Sequence, residues 1–209
     1  MRTAVVIFLA LGMVVARGDD VLFSSLGLNG LFTNATANGI LVENYTGTVR
    51  DLQSVAMPFS VTANGTATSL LIAFDQAPMF GVSAFGLTLS LVQGNSPSGT
   101  VLESVHDTIL VGFPTLLTFD LAGTTTLVTG EPYWLVARAD TNSAVTWYVT
   151  DVIGANSQFS GSLYPDDWNF YGGILSLQVN GNIDPVPEPA NLILAALLPL
   201  LIVKKTGRK

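Results

Sequence analysis

The sequence predicts an all-β protein built on a single antiparallel β-sandwich with a jelly-roll-like layout. Three observations support this prediction. Apolar and polar residues alternate along many short segments, turn-forming residues separate these segments, and no apolar stripe of helical period persists between residues 21 and 180. About eight to ten strands are expected from this spacing. A signal peptide is predicted before the sandwich and a short transmembrane helix after it.

Each predicted strand presents one apolar face. The residues expected to point inward are, in chain order, Val55, Met57, Phe59 and Val61; Leu70, Ile72 and Phe74; Phe85, Leu87, Leu89 and Leu91; Leu117, Phe119 and Leu121; Val145, Trp147 and Val149; and Leu175, Leu177 and Val179. Pro58 lies on the opposite face of the first of these strands. Because a proline cannot donate to a strand ladder, that strand is predicted to lie at a sheet edge.

Two aromatic pairs, at 133–134 and 147–148, fall in consecutive predicted strands joined around 140–143. The sequence predicts a hairpin here, in which one ring of each pair points inward and the other outward. Cross-strand packing accounts for such rings without a ligand. Arg138 is expected to contact either the tryptophan on its own face or Asp140, two residues further on.

Composition excludes several classes of function. Charged residues make up 11% of the chain. Between residues 19 and 183, only Arg50 and Arg138 stand against thirteen Asp and Glu residues, a formal charge of −11. Such a surface repels phosphate backbones, so no nucleic-acid partner is expected. The chain has no cysteine, which excludes a disulfide framework, a Cys-ligated zinc and a thiol nucleophile.

The N-terminus predicts a secretory signal peptide over residues 1–18. Arg2 precedes an apolar run from Ala4 to Ala16, and small residues close the run. The run is too short to span a bilayer core of ~30 Å. We expect the export machinery and signal peptidase to act on this segment, with cleavage after either Ala16 or Gly18.

Residues 187–209 predict a membrane-sorting segment. The tripeptide Pro187-Glu188-Pro189 precedes an apolar stretch, which is short for a bilayer and interrupted by Pro199. A basic tail follows, formed by Lys204, Lys205, Arg208 and Lys209. This charge order is that of a stop-transfer segment, with the tail cytoplasmic and the domain outside. Residues 180–186 are predicted to be a polar spacer between this segment and the domain, residues 19–179.

This three-part terminus resembles the PEP-CTERM sorting signal of bacterial envelope proteins. The resemblance implies that exosortase, a membrane-embedded cysteine transpeptidase, recognises Pro187, Glu188 and Pro189 and cuts nearby. It also implies transient anchoring in the inner membrane of a Gram-negative-type bacterium, and then release to the cell surface or extracellular matrix. A GPI signal also ends in an apolar tail, but the basic terminus argues against it.

The domain itself resembles the choice-of-anchor extracellular domains, most closely the type named R. The resemblance rests on residues 53–54 with 59–61, on residues 87–91 with 96–102, and on residues 130–136. It implies a surface domain of undefined activity, and it transfers no catalytic or binding residues.

The segment 164–173 is the candidate ligand loop. Its candidate residues are Tyr164, Asp166, Asp167, Trp168 and Tyr171. Aromatic faces stack on sugar rings and carboxylates bind hydroxyls, so a glycan such as an exopolysaccharide is one candidate ligand. Oxygen ligands from the aspartates and nearby carbonyls make Ca²⁺ another. The interpretation that the sequence favours is a structural one, in which the rings cover the end of the core and the aspartates cap a turn.

No catalytic constellation stands out, so an enzyme is not expected. His106 is the only histidine of the chain, and no Gly-x-Ser-x-Gly motif accompanies it. A metal site would need a second histidine or comparable ligand beside it, so no metal ligands are assigned. We expect His106 to be an exposed residue at a turn or strand edge, and the protein to have a non-catalytic, biofilm-associated surface role.

Overall fold

A computed structural model of the chain describes residues 19–26, 39–44, 52–76, 85–110, 113–150, 158–162 and 168–185. Within these ranges the protein is all-β, with thirteen strands and no helix, which confirms the predicted class. The strands are β1 (Asp20–Ser24), β2 (Gly39–Asn44), β3 (Leu52–Phe59), β4 (Gly65–Gln76), β5 (Gly86–Gln93), β6 (Thr100–Thr108), β7 (Thr115–Asp120), β8 (Thr126–Leu127), β9 (Tyr133–Ala139), β10 (Ser143–Tyr148), β11 (Gln158–Ser162), β12 (Asn169–Gly172) and β13 (Gln178–Ile183). Their number exceeds the prediction because short pieces, such as the two-residue β8, pair separately with longer strands.

The strands form one continuous antiparallel sheet that curls into sandwich-like layers. Along its main path the order is β1-β13-β4-β10-β2-β3-β9-β5-β6; β7 and β8 pair with β4, β11 pairs with β3, and β12 pairs with β11. For description we divide this continuous sheet into two parts. The first sheet is the part formed by β1, β2, β4, β7, β8, β10 and β13, and the second sheet is the part formed by β3, β5, β6, β9, β11 and β12. Strand β3 joins the two sheets, because its first residues pair with β2 and later ones with β9 and β11.

One large apolar core lies inside the curl, and both sheets contribute to it. In β5, Leu87, Leu89 and Leu91 are at most 1% exposed. From the first sheet, Phe74 and Trp147 are fully buried, with ring centroids 5.6 Å apart. The predicted inward orientation is confirmed for Leu87, Leu89, Phe119, Trp147 and Leu177.

Buried serines supply polar contacts inside this core. The Ser25 hydroxyl donates to the Leu175 carbonyl at 2.6 Å and accepts the Leu177 N–H at 2.9 Å. The Ser176 carbonyl accepts the indole N–H of Trp147 at 2.9 Å. Each bond satisfies a polar group that water does not reach, and together they fix where β1 and β10 meet the segment leading into β13.

The described domain begins and ends at the same end of the sheet. Asp20 of β1 lies opposite Gly181 of β13, and Gly65 of β4 lies opposite Ile183. We call this end, marked by these four residues, the exit end. Because β13 runs to Ile183, residues 180–183 belong to the sheet, which corrects their prediction as the start of the spacer.

The prediction that the strand containing Pro58 lies at an edge is wrong. Strand β3 pairs with β9 on one side and, over residues 54–56, with β11 on the other. The ladder with β11 ends at Ala56, so the described ladder at Pro58 is the one with β9. A proline is tolerated at such a position because no second ladder requires its missing N–H.

The predicted hairpin between β9 and β10 is also wrong. Strand β9 lies in the second sheet and β10 in the first, so the chain crosses between layers at 140–142. Asn142 takes a positive φ of 60° there, and its N–H donates to the Asn44 carbonyl at 2.6 Å. The prediction that one ring of the 133–134 pair points inward and the other outward is confirmed, because Tyr133 lies in the main core and Trp134 on the opposite face of β9, where it is also buried.

Candidate functional site

Trp168 is the one candidate ligand residue whose side chain is described. Tyr164, Asp166 and Asp167 lie outside the described residues, and Tyr171 lies in β12, opposite Phe159 of β11. The segment predicted as a loop therefore contains a strand over Asn169–Gly172. The described part of the aromatic sequence after Trp168 lies in β12, which pairs antiparallel with β11.

Trp168 packs on the outer face of the second sheet, the face turned away from the main core. Its partners there are the buried residues Ala56, Val92, Trp134 and Val136, which we call the outer cluster. The Trp168 ring is only partly buried, and its indole N–H donates to the Ser98 hydroxyl at 3.1 Å. The ring thus packs against the apolar cluster and remains partly accessible to solvent.

Strand alternation and one turn build the outer cluster. Trp134 and Val136 alternate with the core residues of β9, so they point to the outer face. The turn after β5 begins at Gly94, whose φ of 135° favours glycine, and the Gly94 carbonyl accepts the Trp134 indole N–H at 3.0 Å. The same turn carries Ser98 to Trp168. Two tryptophans are therefore bonded to one turn.

A polar row occupies the same outer face closer to the other end of the sheet. His106 of β6, Thr88 of β5 and Arg138 of β9 lie side by side in register. The His106 Nε2 atom lies 2.7 Å from Asp140 Oδ2, and these side chains are 56% and 44% exposed. The predicted exposed edge histidine is confirmed, while Asp140 is bonded to His106 and not to Arg138.

The His106–Asp140 pair has the form of a base and its orienting carboxylate, but a nucleophile would have to complete it. Ser104 lies two residues earlier on the same face, and its hydroxyl is bonded to the Ser90 hydroxyl at 2.8 Å. Because both side chains are substantially exposed, the bond between them contributes little energy. In the part of the chain that the structure describes, no group of three or more acidic, histidine or cysteine side chains is placed to hold a metal ion.

A tyrosine on the outer face of the first sheet has a perturbed pKa. The Tyr148 hydroxyl donates to Asp75 Oδ2 at 2.9 Å. Burial, followed by the hydrogen bond to Asp75 and the charge of that carboxylate, raises the pKa of Tyr148 to about 12. The hydroxyl therefore keeps its proton at neutral pH. The bond joins β10 to the neighbouring strand β4.

Sequence reasoning missed Ser98 and the outer cluster. The turn at 94–99 was visible, but its proximity to Trp168 depends on how β11 pairs with β3. That pairing joins segments about a hundred positions apart, and no local pattern reports it. The buried positions Ala56 and Val136 carried a weaker signal, since both are apolar on the outward-facing side of their strands.

The predicted signal peptide, residues 1–18, and the predicted sorting segment, residues 187–209, lie outside the described residues. Among the residues that the structure does describe, no helix has the length and apolar character needed to cross a bilayer. No protein-family model matches the chain, and no curated protein is similar to it.

Proposed function

We propose that this chain is an exported bacterial envelope protein with a non-catalytic surface or biofilm-matrix role, sorted by exosortase. The observation that carries the proposal is the order of the C-terminal sequence, in which Pro187-Glu188-Pro189, an apolar stretch and a basic tail follow one another. The proposal includes a jelly-roll-like arrangement of the sandwich, a cleaved signal peptide and a short membrane helix in the tail. After processing, the protein would reside at the cell surface or in the extracellular matrix.

The arrangement of the sheet supports this routing. Strand β13 ends at Ile183, at the exit end of the sheet, and the candidate processing motif follows at residue 187. A tether leaving from one end keeps the rest of the domain clear of the membrane. The Asp184 N–H still bonds to the Asn64 carbonyl at 2.9 Å, so the ordered fold continues almost to the motif.

Alanine replacement of the motif tests the routing. Pro187, Glu188 and Pro189 are changed together to alanine in a host with exosortase, and cell fractions are probed for the size and location of the protein. We expect a longer product retained in the inner membrane. The matched control, Pro185→Ala, changes a proline just upstream and should be processed normally. Unchanged size and location of the triple variant would overturn the proposal.

A binding module is the second candidate, favoured by the partly exposed ring of Trp168. A partly exposed indole offers apolar surface on which a sugar can stack, and the candidate carboxylates Asp166 and Asp167 precede it in the sequence. The ligand would be a glycan or Ca²⁺. If the role of Trp168 is structural instead, its ring only shields the outer cluster from water and binds neither a glycan nor Ca²⁺.

A glycan array and a calcium titration separate these functions. The purified protein is compared with Trp168→Ala and with the matched control Ser98→Ala, which removes the indole acceptor but leaves the ring. Sugar binding that is lost in Trp168→Ala, with thermal stability unchanged, would establish the binding module. Lower stability of Trp168→Ala, with no binding in any form, would support the structural role.

A further inference from the structure

Two large apolar side chains protrude from the connection between β6 and β7. Leu110 is 78% exposed and Phe113 is 68% exposed, the highest values among the exposed large hydrophobic residues of the described chain. Both are apolar groups that the interior of this fold does not use. We call Leu110 and Phe113 the apolar tip.

The base of the apolar tip is fixed to the sheet. Ile109, beside Leu110, is 1% exposed, and its N–H donates to the Phe85 carbonyl at 2.9 Å. The Ile109 carbonyl accepts a bond from the Gln76 side-chain amide at 3.1 Å. On the other side, the Thr115 hydroxyl donates to the Phe113 carbonyl at 3.1 Å. These bonds fix the backbone beside Leu110 and at Phe113, so the two exposed side chains stand next to ordered positions of the sheet.

The apolar tip lies at the opposite end of the domain from the exit end. Strand β4 connects the two places, because Gly65 pairs with Ile183 and Gln76 bonds to Ile109. With 12 residues, β4 separates them by roughly 35 Å at about 3.3 Å per residue. A tether at residue 183 would thus point the apolar tip away from the membrane that the tail enters.

We propose that the apolar tip inserts into the interfacial region of a bilayer of zwitterionic lipids. A specific protein interface buries roughly 800 Å² on each partner. An aromatic side chain supplies about 150–250 Å², so Leu110 and Phe113 fall well short of a stable dimer surface. Lipid surrounds a protruding side chain on all sides and therefore covers Leu110 and Phe113 without needing a matching partner surface.

The negative charge of the protein favours zwitterionic over anionic lipids. The charged residues that flank the tip in the sequence are Asp107 and Asp120, and no basic residue lies between them. Residues 19–183 carry a formal charge of −11, which repels both an anionic lipid surface and a second copy of the chain. This inference goes beyond the proposed routing and does not depend on it.

An environment-sensitive fluorophore at the tip tests the proposal in the full-length chain. The chain has no cysteine, so Leu110→Cys offers a single attachment site while Phe113 stays in place. The matched control is Val128→Cys, since Val128 is also exposed and bonds by its N–H to Tyr133, outside the tip. Because the fluorophore reports only its own surroundings, binding of vesicles through the tail does not mimic insertion of the tip.

With phosphatidylcholine vesicles we expect a blue-shifted, severalfold stronger emission at position 110 and none at position 128. Phe113→Ser in the labelled chain should lower the apparent lipid affinity by about tenfold, since an exposed phenyl ring would no longer be buried. Three results would overturn the proposal: an unchanged emission at position 110, a stronger response to phosphatidylglycerol than to phosphatidylcholine, or a concentration-dependent shift without vesicles, which would indicate self-association.

Discussion

The two faces of the second sheet are both apolar in places, but they are covered in different ways. The inner face, with Leu87, Leu89 and Leu91, joins the large core shared with the first sheet. The outer face buries the four residues of the outer cluster under Trp168, which comes from the segment just before β12. The alternation of apolar and polar residues in the sequence therefore shows which residues share a face of a strand. It does not show which segment buries that face, because that segment can be distant in the sequence.

The three tryptophans differ in burial in the same way as the two faces. Trp147 is fully buried and Trp134 is 7% exposed, while Trp168 is only partly buried. Each indole N–H has an acceptor, in Ser176, Gly94 and Ser98 respectively. The inner tryptophan should therefore support the whole fold, and the outermost one mainly the attachment of its own segment.

Trp147→Ala should have the largest effect. Removing a fully buried indole leaves a large cavity, and we expect a loss of about 3–5 kcal/mol in the free energy of unfolding, enough to prevent folding of a marginal domain. Trp147→Phe keeps a ring against Phe74 and should lose less. Urea denaturation followed by circular dichroism measures both. If Trp147→Ala lowers the free energy of unfolding by less than Trp168→Ala does, the inner tryptophan is not the one that supports the whole fold.

Ser25→Ala should have the next largest effect. Its hydroxyl joins β1 to the residues preceding β13, and removal leaves the buried Leu177 N–H without this acceptor. We expect a loss of about 1–3 kcal/mol. The matched control is Ser24→Ala, because Ser24 is exposed and its hydroxyl makes only longer bonds, donating to Gln178 at 3.3 Å and accepting the Leu26 N–H at 3.2 Å. Equal losses of unfolding free energy in the two variants would show that the burial of a serine hydroxyl does not determine how much stability its removal costs.

Trp168→Ala should cost about 1–2 kcal/mol, because the ring is only partly buried. The loss should be confined to the outer cluster. We therefore expect faster hydrogen exchange in β11 and β12, with the exchange of β4 and β10 unchanged. Uniformly faster exchange across both sheets would mean that the outer cluster and the main core unfold together.

Tyr148→Phe should have the smallest effect at neutral pH, about 1 kcal/mol for the lost bond to Asp75. The wild type should lose stability as the pH rises from about 10 to about 12, because the unfolded chain releases the Tyr148 proton first. The variant should lack this part of the pH dependence. Urea midpoints at about pH 9 and about pH 11.5 give the comparison. Asp75→Asn removes only the charge, so its loss of stability between these two pH values should lie between those of the wild type and Tyr148→Phe.

The sequence determined the inner face of the sheet well and the connections poorly. The alternation around Leu87, Leu89 and Trp147 reports burial directly, because a strand has only two faces. The error at β9 and β10 arose because a short turn between two strands suggests a hairpin. Here the turn at Asn142 carries the chain from one layer to the other, and the tertiary pairing of β10 with β2 overrides the local pattern.

The candidate site shows the same limit. The sequence predicts either a ligand or a structural role for Trp168, and alternation predicts that Tyr133 and Trp134 point to opposite faces of their strand. Their contact and the shared turn at Ser98 depend on pairing between β3 and β11, which the spacing of residues does not encode. His106 was predictable as an edge residue, but its bond to Asp140 requires the register of three strands.

The position of β13 sets the order in which the domain can complete its folding. This last strand lies between β1 and β4, and the bond from the Leu177 N–H to the Ser25 hydroxyl joins residues 152 positions apart. A chain that emerges N-terminus first therefore holds β1 without its partner until nearly all of the domain has been synthesised. Contacts this far apart in sequence form slowly, and until then one edge of β4 stays open to pairing with other chains. Truncation before Gln178 would make that exposed edge permanent.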